Sequence, residues 1–170
     1  MHTNIRVKKL DGKNRVHQKL VQNDIYKLLH HNLGQFYPKY TTWYKEKIIK
    51  GFKQGNRIIL VIRDADIVQG VSILKTPNSK WNNKICCFYI SHEHRDRGLG
   101  KLLMHNSLQV YHSSKKPIIM TVPEEKLVDP ADSKSYLDFL RKYNFDITEK
   151  IIGKYRPGKI EFVLMRVSTG

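Results

Sequence analysis

The hydrophobic positions along this chain follow two spacings, one typical of strands and the other of helices. Ile5 and Val7 alternate with polar residues, whereas Val21, Ile25 and Leu28 recur every three or four positions. Applied along the chain, these spacings predict the order β-α-α-β-β-β-α-β-α-β-β. The predicted strands cover residues 5–10, 57–63, 67–74, 85–90, 117–122, 147–155 and 160–167, and the predicted helices 16–33, 41–52, 99–110 and 133–145.

Local signals at the ends of these segments support the boundaries. Gly34 is expected to close the first helix. Thr41 or Thr42 is expected to cap the second helix, and Asp132 or Ser133 the fourth. Turn residues at 64–66 and 156–158 predict two β-hairpins.

The segment from residue 84 to residue 111 is the most informative part of the chain. An apolar run ends at Ile90, a polar segment leads to Gly98 and Gly100, and a helical pattern follows. A helix start has unpaired N–H groups and the positive end of the helix dipole. With Arg95 and Arg97 beside it, this turn is suited to hold a phosphate group.

Two common phosphate-binding patterns do not fit this turn. Gly100-Lys101 is followed by Leu102 rather than Ser or Thr, which excludes the Walker pattern, and no glycine stands at position 103, which excludes the dinucleotide fingerprint. The remaining pattern is RDRGLG from Arg95 to Gly100, an arginine followed at fixed spacing by two glycines directly after a strand. It resembles the pyrophosphate-binding motif of the Gcn5-related N-acetyltransferase (GNAT) superfamily.

That resemblance implies acetyl-CoA as the co-substrate, no metal, and a strand that lies along the pantetheine arm. The implied coenzyme contacts are Tyr89, Ile90, Ser91, Arg95, Asp96, Arg97, Gly98, Leu99, Gly100 and Lys101. The element order also matches the GNAT fold over essentially the whole chain. The expected fold is therefore α/β (α+β), with a central mixed, mostly antiparallel sheet flanked by helices, in one domain over residues 1–170.

The acceptor and catalytic residues implied by the resemblance are less well marked. The aromatic residues near the junction of the first two helices become candidate acceptor contacts: Phe36, Tyr37, Tyr40 and Tyr44. The tyrosine that many family members carry before the end of the fourth helix is Leu140 here, so Tyr136 is the nearest substitute proton donor. The glutamate base of some histone-modifying members is replaced by Lys84. Glu93, Glu124 or Glu125, His92 or His94, and ordered water remain as candidate bases.

Charge is the second informative property. The chain has 31 Lys and Arg against 15 Asp and Glu, a formal net charge of +16, which exceeds what the phosphates of one coenzyme would use. The excess favours an anionic macromolecular acceptor, such as RNA, DNA or an acidic protein, although a compositional bias toward lysine explains it equally well.

The remaining features of the sequence predict a cytoplasmic protein without a membrane span. The protein is expected to be a monomer or a homodimer. The longest apolar runs are far too short to cross a bilayer, and the N-terminal residues are polar. Cys86 and Cys87 are adjacent in a strand and are expected on opposite faces, which favours packed thiols over a disulfide or a metal site.

The predicted function is transfer of an acetyl group from acetyl-CoA to a primary amine by direct attack in a ternary complex. Two alternatives stay open from the sequence. One is a nucleic-acid-binding protein on a catalytically altered GNAT scaffold, and the other is a GNAT-like enzyme that modifies nucleic-acid bases.

Overall fold

The structure is a computed structural model that describes residues 5–127 and 135–167. In these ranges seven strands form a sheet in the order β1-β2-β3-β4-β5-β7-β6. Neighbouring strands are antiparallel except for β4 and β5, which are parallel. The strands are β1 (Val7–Lys9), β2 (Arg57–Asp64), β3 (Ile67–Lys75), β4 (Asn83–Ile90), β5 (Ile118–Pro123), β6 (Asp146–Ile152) and β7 (Ile160–Arg166).

Seven α-helical segments accompany the sheet within the same residue ranges. They are α1 (Arg15–Leu20), α2 (Tyr26–Leu33), α3 (Tyr40–Trp43), α4 (Lys50–Lys53), α5 (Leu99–Gln109), α6 (Glu124–Leu127) and α7 (Tyr136–Arg141). A π-helical segment, Val21–Ile25, joins α1 to α2, and a second, Tyr44–Ile49, joins α3 to α4. The two predicted N-terminal helices are therefore present, each with a π-helical middle. The predicted fold class is confirmed.

The structure differs in detail from the prediction at three helix ends. Gly34 follows the first helix, but its φ of −58° is right-handed, so it is not a left-handed cap and instead begins a 3-10 turn. The second helix starts at Tyr40 without a side-chain cap, and the Thr41 hydroxyl lies 2.9 Å from the Tyr26 hydroxyl. Ser135 caps α7, while Asp132 and Ser133 lie outside the described residues.

Hydrophobic side chains pack on both faces of the sheet. The first cluster lies between the sheet and the N-terminal helices and includes Ile25, Ile48, Ile59 and Ile73. The second lies on the opposite face, where α5 and α7 contribute Leu103 and Leu140, among others. The helical stripes predicted from the sequence bury these faces, which is the main stabilising contribution to the fold.

Strand β4 contains a β-bulge that the sequence does not reveal. Ile73 lies opposite Cys87, but its neighbour Leu74 lies opposite Ile85, so Cys86 is an extra residue in β4. As a result, both cysteines pack against the first cluster. The expectation that they point to opposite faces is wrong, because the bulge interrupts the alternation of the strand.

Strands β4 and β5 separate soon after they begin. They pair only where Asn83 and Lys84 meet Ile118 and Ile119, although β4 continues to Ile90. From Ile85 onward, β4 has β3 as its only strand partner among the described residues. The two strands thus form a V that opens toward the end of β4.

Candidate active site

A cavity of about 1040 Å³ occupies the opening between β4 and β5. At one end, which we call the turn end, it is lined by Ile90, Arg95 and Gly100. The opposite end, which we call the aromatic end, is lined by Tyr37 and Tyr40. A cavity of this size is sufficient for a large ligand and extends from one sheet face to the other.

The turn end is formed by the loop between β4 and α5. Gly98 precedes α5 with φ 77° and ψ 0°, a left-handed conformation that glycine adopts easily, and it provides no side-chain cap. The first helical bond is donated by the Leu102 amide to the Gly98 carbonyl, 3.1 Å away. The amides of residues 99–101 therefore have no intrahelical acceptor, which is the arrangement that binds anions at helix N-termini.

The backbone at Gly98 leaves room for such an anion. A Cβ built on Gly98 would meet no protein atom within 4 Å, so the space beside the turn is open. Gly100 lines the cavity, and a Cβ there would lie 3.5 Å from the Phe139 ring. The turn thus offers donors and space where a phosphate group needs both.

Arg95 connects this turn to the end of β4. Its Nε donates to the Ile90 carbonyl at 3.2 Å, and its guanidinium lies 6.0 Å from the centre of the Tyr89 ring. A positive charge is thereby held at the open end of the V, between the helix N-terminus and the unpaired edge of β4.

The predicted coenzyme contacts are found in two places. Tyr89, Ile90, Arg95, Asp96 and Gly100 line the cavity. The other five lie around the turn but do not line the cavity: Ser91, Arg97, Gly98, Leu99 and Lys101. Of these, the Ser91 hydroxyl donates to the Val68 carbonyl at 3.3 Å, and the Leu99 side chain is buried in the second cluster, so neither side chain faces the cavity.

The aromatic end contains two of the four predicted acceptor residues. Tyr37 and Tyr40 line the cavity, and the buried Tyr40 hydroxyl has no hydrogen-bond partner in the described part of the protein. Burial raises the pKa of Tyr40, so its hydroxyl keeps its proton at neutral pH and is available as a donor.

The other two predicted acceptor residues lie in packing contacts. Tyr44 is 0% exposed, and its hydroxyl donates to the Val21 carbonyl at 2.8 Å. Phe36 is buried, with Lys126 Nζ and the Arg156 guanidinium each 5.2 Å from its ring centre. Neither residue lines the cavity, because both are held in packing contacts.

The three predicted catalytic residues do not come together. Tyr136 lines the cavity and stacks on Phe139, with ring centres 6.1 Å apart. Burial raises the pKa of Tyr136, so its hydroxyl is protonated at neutral pH. Glu93 and Glu124 are exposed and lie outside the cavity lining, so the structure does not bring them to Tyr136.

Comparisons with known proteins place this site in a family. A model of the acetyltransferase (GNAT) family matches residues 23–124, which include β2 to β5 and the whole glycine turn. The chain belongs to the GNAT family. Members of this family are N-acetyltransferases that use acetyl-CoA as the donor, so the protein is an acetyl-CoA-dependent enzyme. No curated protein matches its sequence.

Solved structures share the fold at low sequence identity. A protein assigned to the GNAT family from Desulfovibrio desulfuricans has a TM-score of 0.69 at 12% identity, covering 96% of this chain and 98% of that one. An aminoglycoside 6'-N-acetyltransferase complexed with coenzyme A has a TM-score of 0.68 at 12% identity, covering 95% and 96%. A GNAT family acetyltransferase from Elizabethkingia anophelis with acetyl-CoA bound has a TM-score of 0.60 at 13% identity, covering 98% and 99%.

The two cysteines of this GNAT protein line the cavity as neutral thiols. Burial raises the pKa of Cys86, and it raises the pKa of Cys87 to about 12. Since the thiolate is the reactive form, neither cysteine is activated as a nucleophile. The prediction of direct transfer without an acetyl-cysteine intermediate is compatible with this environment.

A buried carboxylate that was not predicted from the sequence lies near the aromatic end of the GNAT cavity. Glu161 in β7 is 2% exposed, and its Oε2 has no hydrogen-bond partner among the described residues. Burial raises the pKa of Glu161 to about 7, an effect opposed by Arg156. Glu161 acts electrostatically on Tyr37 and Tyr155, whose rings are 5.1 Å apart in the cavity lining. No local motif marks this residue.

Residues 5–127 and 135–167 offer neither a metal-binding cluster nor a membrane-spanning helix. These residues contain no group of three or more His, Cys, Asp or Glu side chains that could hold a metal ion. None of their helices has the length and apolar character required to cross a membrane.

Proposed function

We propose that this GNAT enzyme transfers an acetyl group from acetyl-CoA to a primary amine carried by an anionic macromolecule, and that it does so by direct attack in a ternary complex. Acetyl-CoA occupies the turn end in this proposal, with its pyrophosphate on the amides of residues 99–101. The amine enters from the aromatic end, past Tyr37 and Tyr40.

The charge of the cavity lining is the observation that carries the anionic acceptor. Among the described residues two carboxylates line it, Asp96 in the glycine turn and Asp138 in α7. Eight cationic residues line the same cavity: Lys39, Arg57, Lys75, Lys84, Arg95, Lys126, Lys142 and Lys154. A polycationic acceptor would be repelled by this lining, and an anionic one attracted.

The same charges favour the reactive form of the acceptor. An amine attacks only when it is neutral, and nearby positive charges disfavour its protonated form. The cationic lining therefore lowers the pKa of a bound ammonium group. This effect supplies a neutral nucleophile although Glu93 and Glu124 lie outside the cavity lining.

Proton movement then requires one donor and one acceptor. The amine nitrogen forms a bond to the thioester carbon, the carbon–sulfur bond breaks, and the coenzyme leaves as a thiolate. In this proposal Tyr136 donates its hydroxyl proton to that thiolate, water takes the proton lost by the amine, and solvent reprotonates Tyr136. The position of Tyr136 in the cavity lining supports this role, and burial raises its pKa, so the hydroxyl carries its proton before the reaction.

Fold likeness does not identify the acceptor. The aminoglycoside acetyltransferase shares 12% identity with this chain, and its named acceptor class is rich in amino groups. The cationic lining described above is poorly matched to such a ligand. We therefore take the acceptor class from the charges of this cavity and not from the similar structure.

Labelled acetyl-CoA tests the proposal. Purified enzyme is incubated with label and cell extract, and the extract is then separated into nucleic acid, protein and small-molecule fractions. We expect label in one of the two macromolecular fractions and none with a Gly98→Asp variant, in which a carboxylate occupies the open space beside the turn. Label confined to small amines would refute the anionic macromolecule.

Salt dependence provides a second test if nucleic acid gains the label. Each neutralised phosphate should contribute about −0.7 to −0.9 to the log–log slope of affinity against salt. Lys47→Glu with Lys50→Glu should flatten the slope, because both residues line a second cavity beside the aromatic end. Lys45→Glu with Lys53→Glu is the matched control, since those exposed lysines line neither cavity. Equal slopes for both pairs would contradict a phosphate contact at Lys47 and Lys50.

A further inference from the structure

Three basic residues form a row across neighbouring strands of the sheet. Arg57 in β2 lies directly opposite Lys75 in β3. Leu74 lies opposite Ile85, and the same antiparallel register sets Lys75 beside Lys84 in β4. We call Arg57, Lys75 and Lys84 the basic row. All three line the cavity.

The basic row faces the N-terminal helices. Ile58, Leu74 and Ile85, which adjoin the three members in sequence, pack in the second cluster on the opposite face. Strand alternation therefore directs the basic row to the face of the first cluster. The Cys86 thiol is on that face too, and Arg57, Lys84 and Lys75 all act electrostatically to lower its pKa against the stronger effect of burial.

The charges of the basic row are not compensated within the described protein. No ion pair joins Arg57, Lys75 or Lys84 to a described carboxylate. Arg57 Nη1 donates to the Asn56 carbonyl at 2.9 Å, while its buried Nε has no hydrogen-bond partner among the described residues. Like charges placed directly opposite on adjacent strands destabilise a sheet. A bound anion would remove this repulsion and satisfy the unpaired donor.

The basic row is remote from the coenzyme turn. Lys84 lies beside Lys75 and Ile90 lies opposite Gly70, so five strand steps separate them, which is about 17 Å at the usual strand rise. An anion at the row is therefore distinct from a pyrophosphate at the turn. Arg57 and Lys75 also line the second cavity, of about 620 Å³, together with Lys47, Lys50 and the carboxylate Glu46.

From this arrangement we propose that the basic row is a subsite for a phosphate group of the acceptor, positioned on the N-terminal-helix face of the cavity. The inference rests on the proposed function, because it identifies the anionic part of the acceptor. A phosphate matches three cations better than a carboxylate does, since it carries more negative charge and three acceptor oxygens. Arginine binds such a group through two parallel hydrogen bonds.

Inorganic phosphate is the probe for the site itself. Thermal unfolding is followed for the protein saturated with coenzyme A, so that the turn is occupied, in phosphate and in chloride of equal ionic strength. We expect phosphate to raise the melting temperature saturably. A variant with Arg57→Gln and Lys75→Gln should bind phosphate at least ten-fold more weakly, whereas Lys45→Gln should behave as the wild type does.

The melting temperatures measured in chloride in the same experiment test the repulsion between the like charges of the basic row. In chloride, Arg57→Gln with Lys75→Gln should melt no lower than the wild type, because the substitutions relieve the like-charge contacts. This also verifies that the variant folds. The proposal is overturned if chloride and phosphate stabilise the wild type equally, or if the phosphate shift of the double variant equals that of Lys45→Gln.

Two amine-bearing ligands distinguish the sources of the phosphate. An aminoalkyl phosphate monoester should depend on the basic row alone. A short amino-modified oligonucleotide should also lose affinity in Lys47→Gln with Lys50→Gln, because its next phosphate would reach the second cavity. If phosphate binds at the row but labelled acetyl groups appear only on amines without phosphate, the anion site stands and its assignment to the acceptor is overturned.

Discussion

Replacing Glu161 with Gln should change how stability depends on pH. Glu161 is buried in β7, its Oε2 lacks a hydrogen-bond partner in the described protein, and burial raises its pKa from 4.5 to about 7. Arg156 opposes the shift, but its guanidinium is engaged by both oxygens of Glu125 at 3.0 and 2.9 Å. Glu161 is therefore a carboxyl group that the fold accommodates best in its protonated form.

The magnitude follows from the difference between the folded and unfolded pKa values. A rise from 4.5 to about 7 corresponds to at most about 3–4 kcal/mol, at roughly 1.4 kcal/mol per unit. Because the folded pKa is the higher one, the contribution to stability is fully present below pH 4.5 and is lost as the pH rises through about 7. A glutamine side chain cannot ionise, so the Glu161→Gln variant should be more stable than the wild type at about pH 8 by about 1–3 kcal/mol.

Urea unfolding at several pH values measures this effect. The difference in free energy of unfolding between Glu161→Gln and the wild type should shrink toward zero near pH 5 and grow as the pH is raised. Glu149→Gln, at an exposed carboxylate of β6, is the matched control and should show no such trend. Parallel curves for the wild type and Glu161→Gln would refute the reasoning, as would a variant that is less stable at high pH.

Three further predictions concern the reaction. Gly98→Asp should abolish acetyl-CoA binding in calorimetry, because its carboxylate enters the open space where the pyrophosphate is expected; a folded variant with wild-type affinity would contradict this. Cys86→Ala with Cys87→Ala should retain transfer, and intact mass should show no acetylated wild-type enzyme, since burial keeps both thiols protonated; loss of chemistry with coenzyme still bound would refute direct transfer. Tyr136→Phe should lower kcat by about 10²-fold or more, the usual scale for a lost proton donor, with coenzyme affinity nearly unchanged, and a wild-type kcat at every pH would exclude this donor.

The element order and the glycine turn could be predicted because their signals are local. Apolar spacing distinguishes a strand from a helix over a few residues, and Gly98 stands beside cationic residues in the sequence itself. The positions and caps of the helix ends are predicted less accurately. Gly34 and Thr41 have the residue types of caps, but Gly34 is right-handed and begins a 3-10 turn, and the Thr41 hydroxyl pairs with that of Tyr26.

The aromatic residues show why a site is harder to predict than a fold. The four predicted acceptor contacts are among the five aromatic side chains of residues 36–44 and look equivalent in the sequence. Yet Tyr37 and Tyr40 line the cavity, while Phe36 and Tyr44 are packed away from it. The π-helical segment Tyr44–Ile49 departs from the usual helical repeat, so periodicity alone cannot assign these faces. Glu161 and the basic row were also missed, because both depend on strand register.

The β-bulge at Cys86 accounts for much of this unpredictability. The run from Ile85 to Ile90 is apolar or aromatic throughout, so it carries no alternation from which a shift of phase could be detected. Before the bulge, Lys84 faces the N-terminal helices; after it, Tyr89 faces them as well, although five positions separate the two residues. In an uninterrupted strand an odd separation would place them on opposite faces. One extra residue in β4 therefore puts the basic row, both thiols and Tyr89 on the same side of the cavity, and directs Phe88 and Ile90 toward α5.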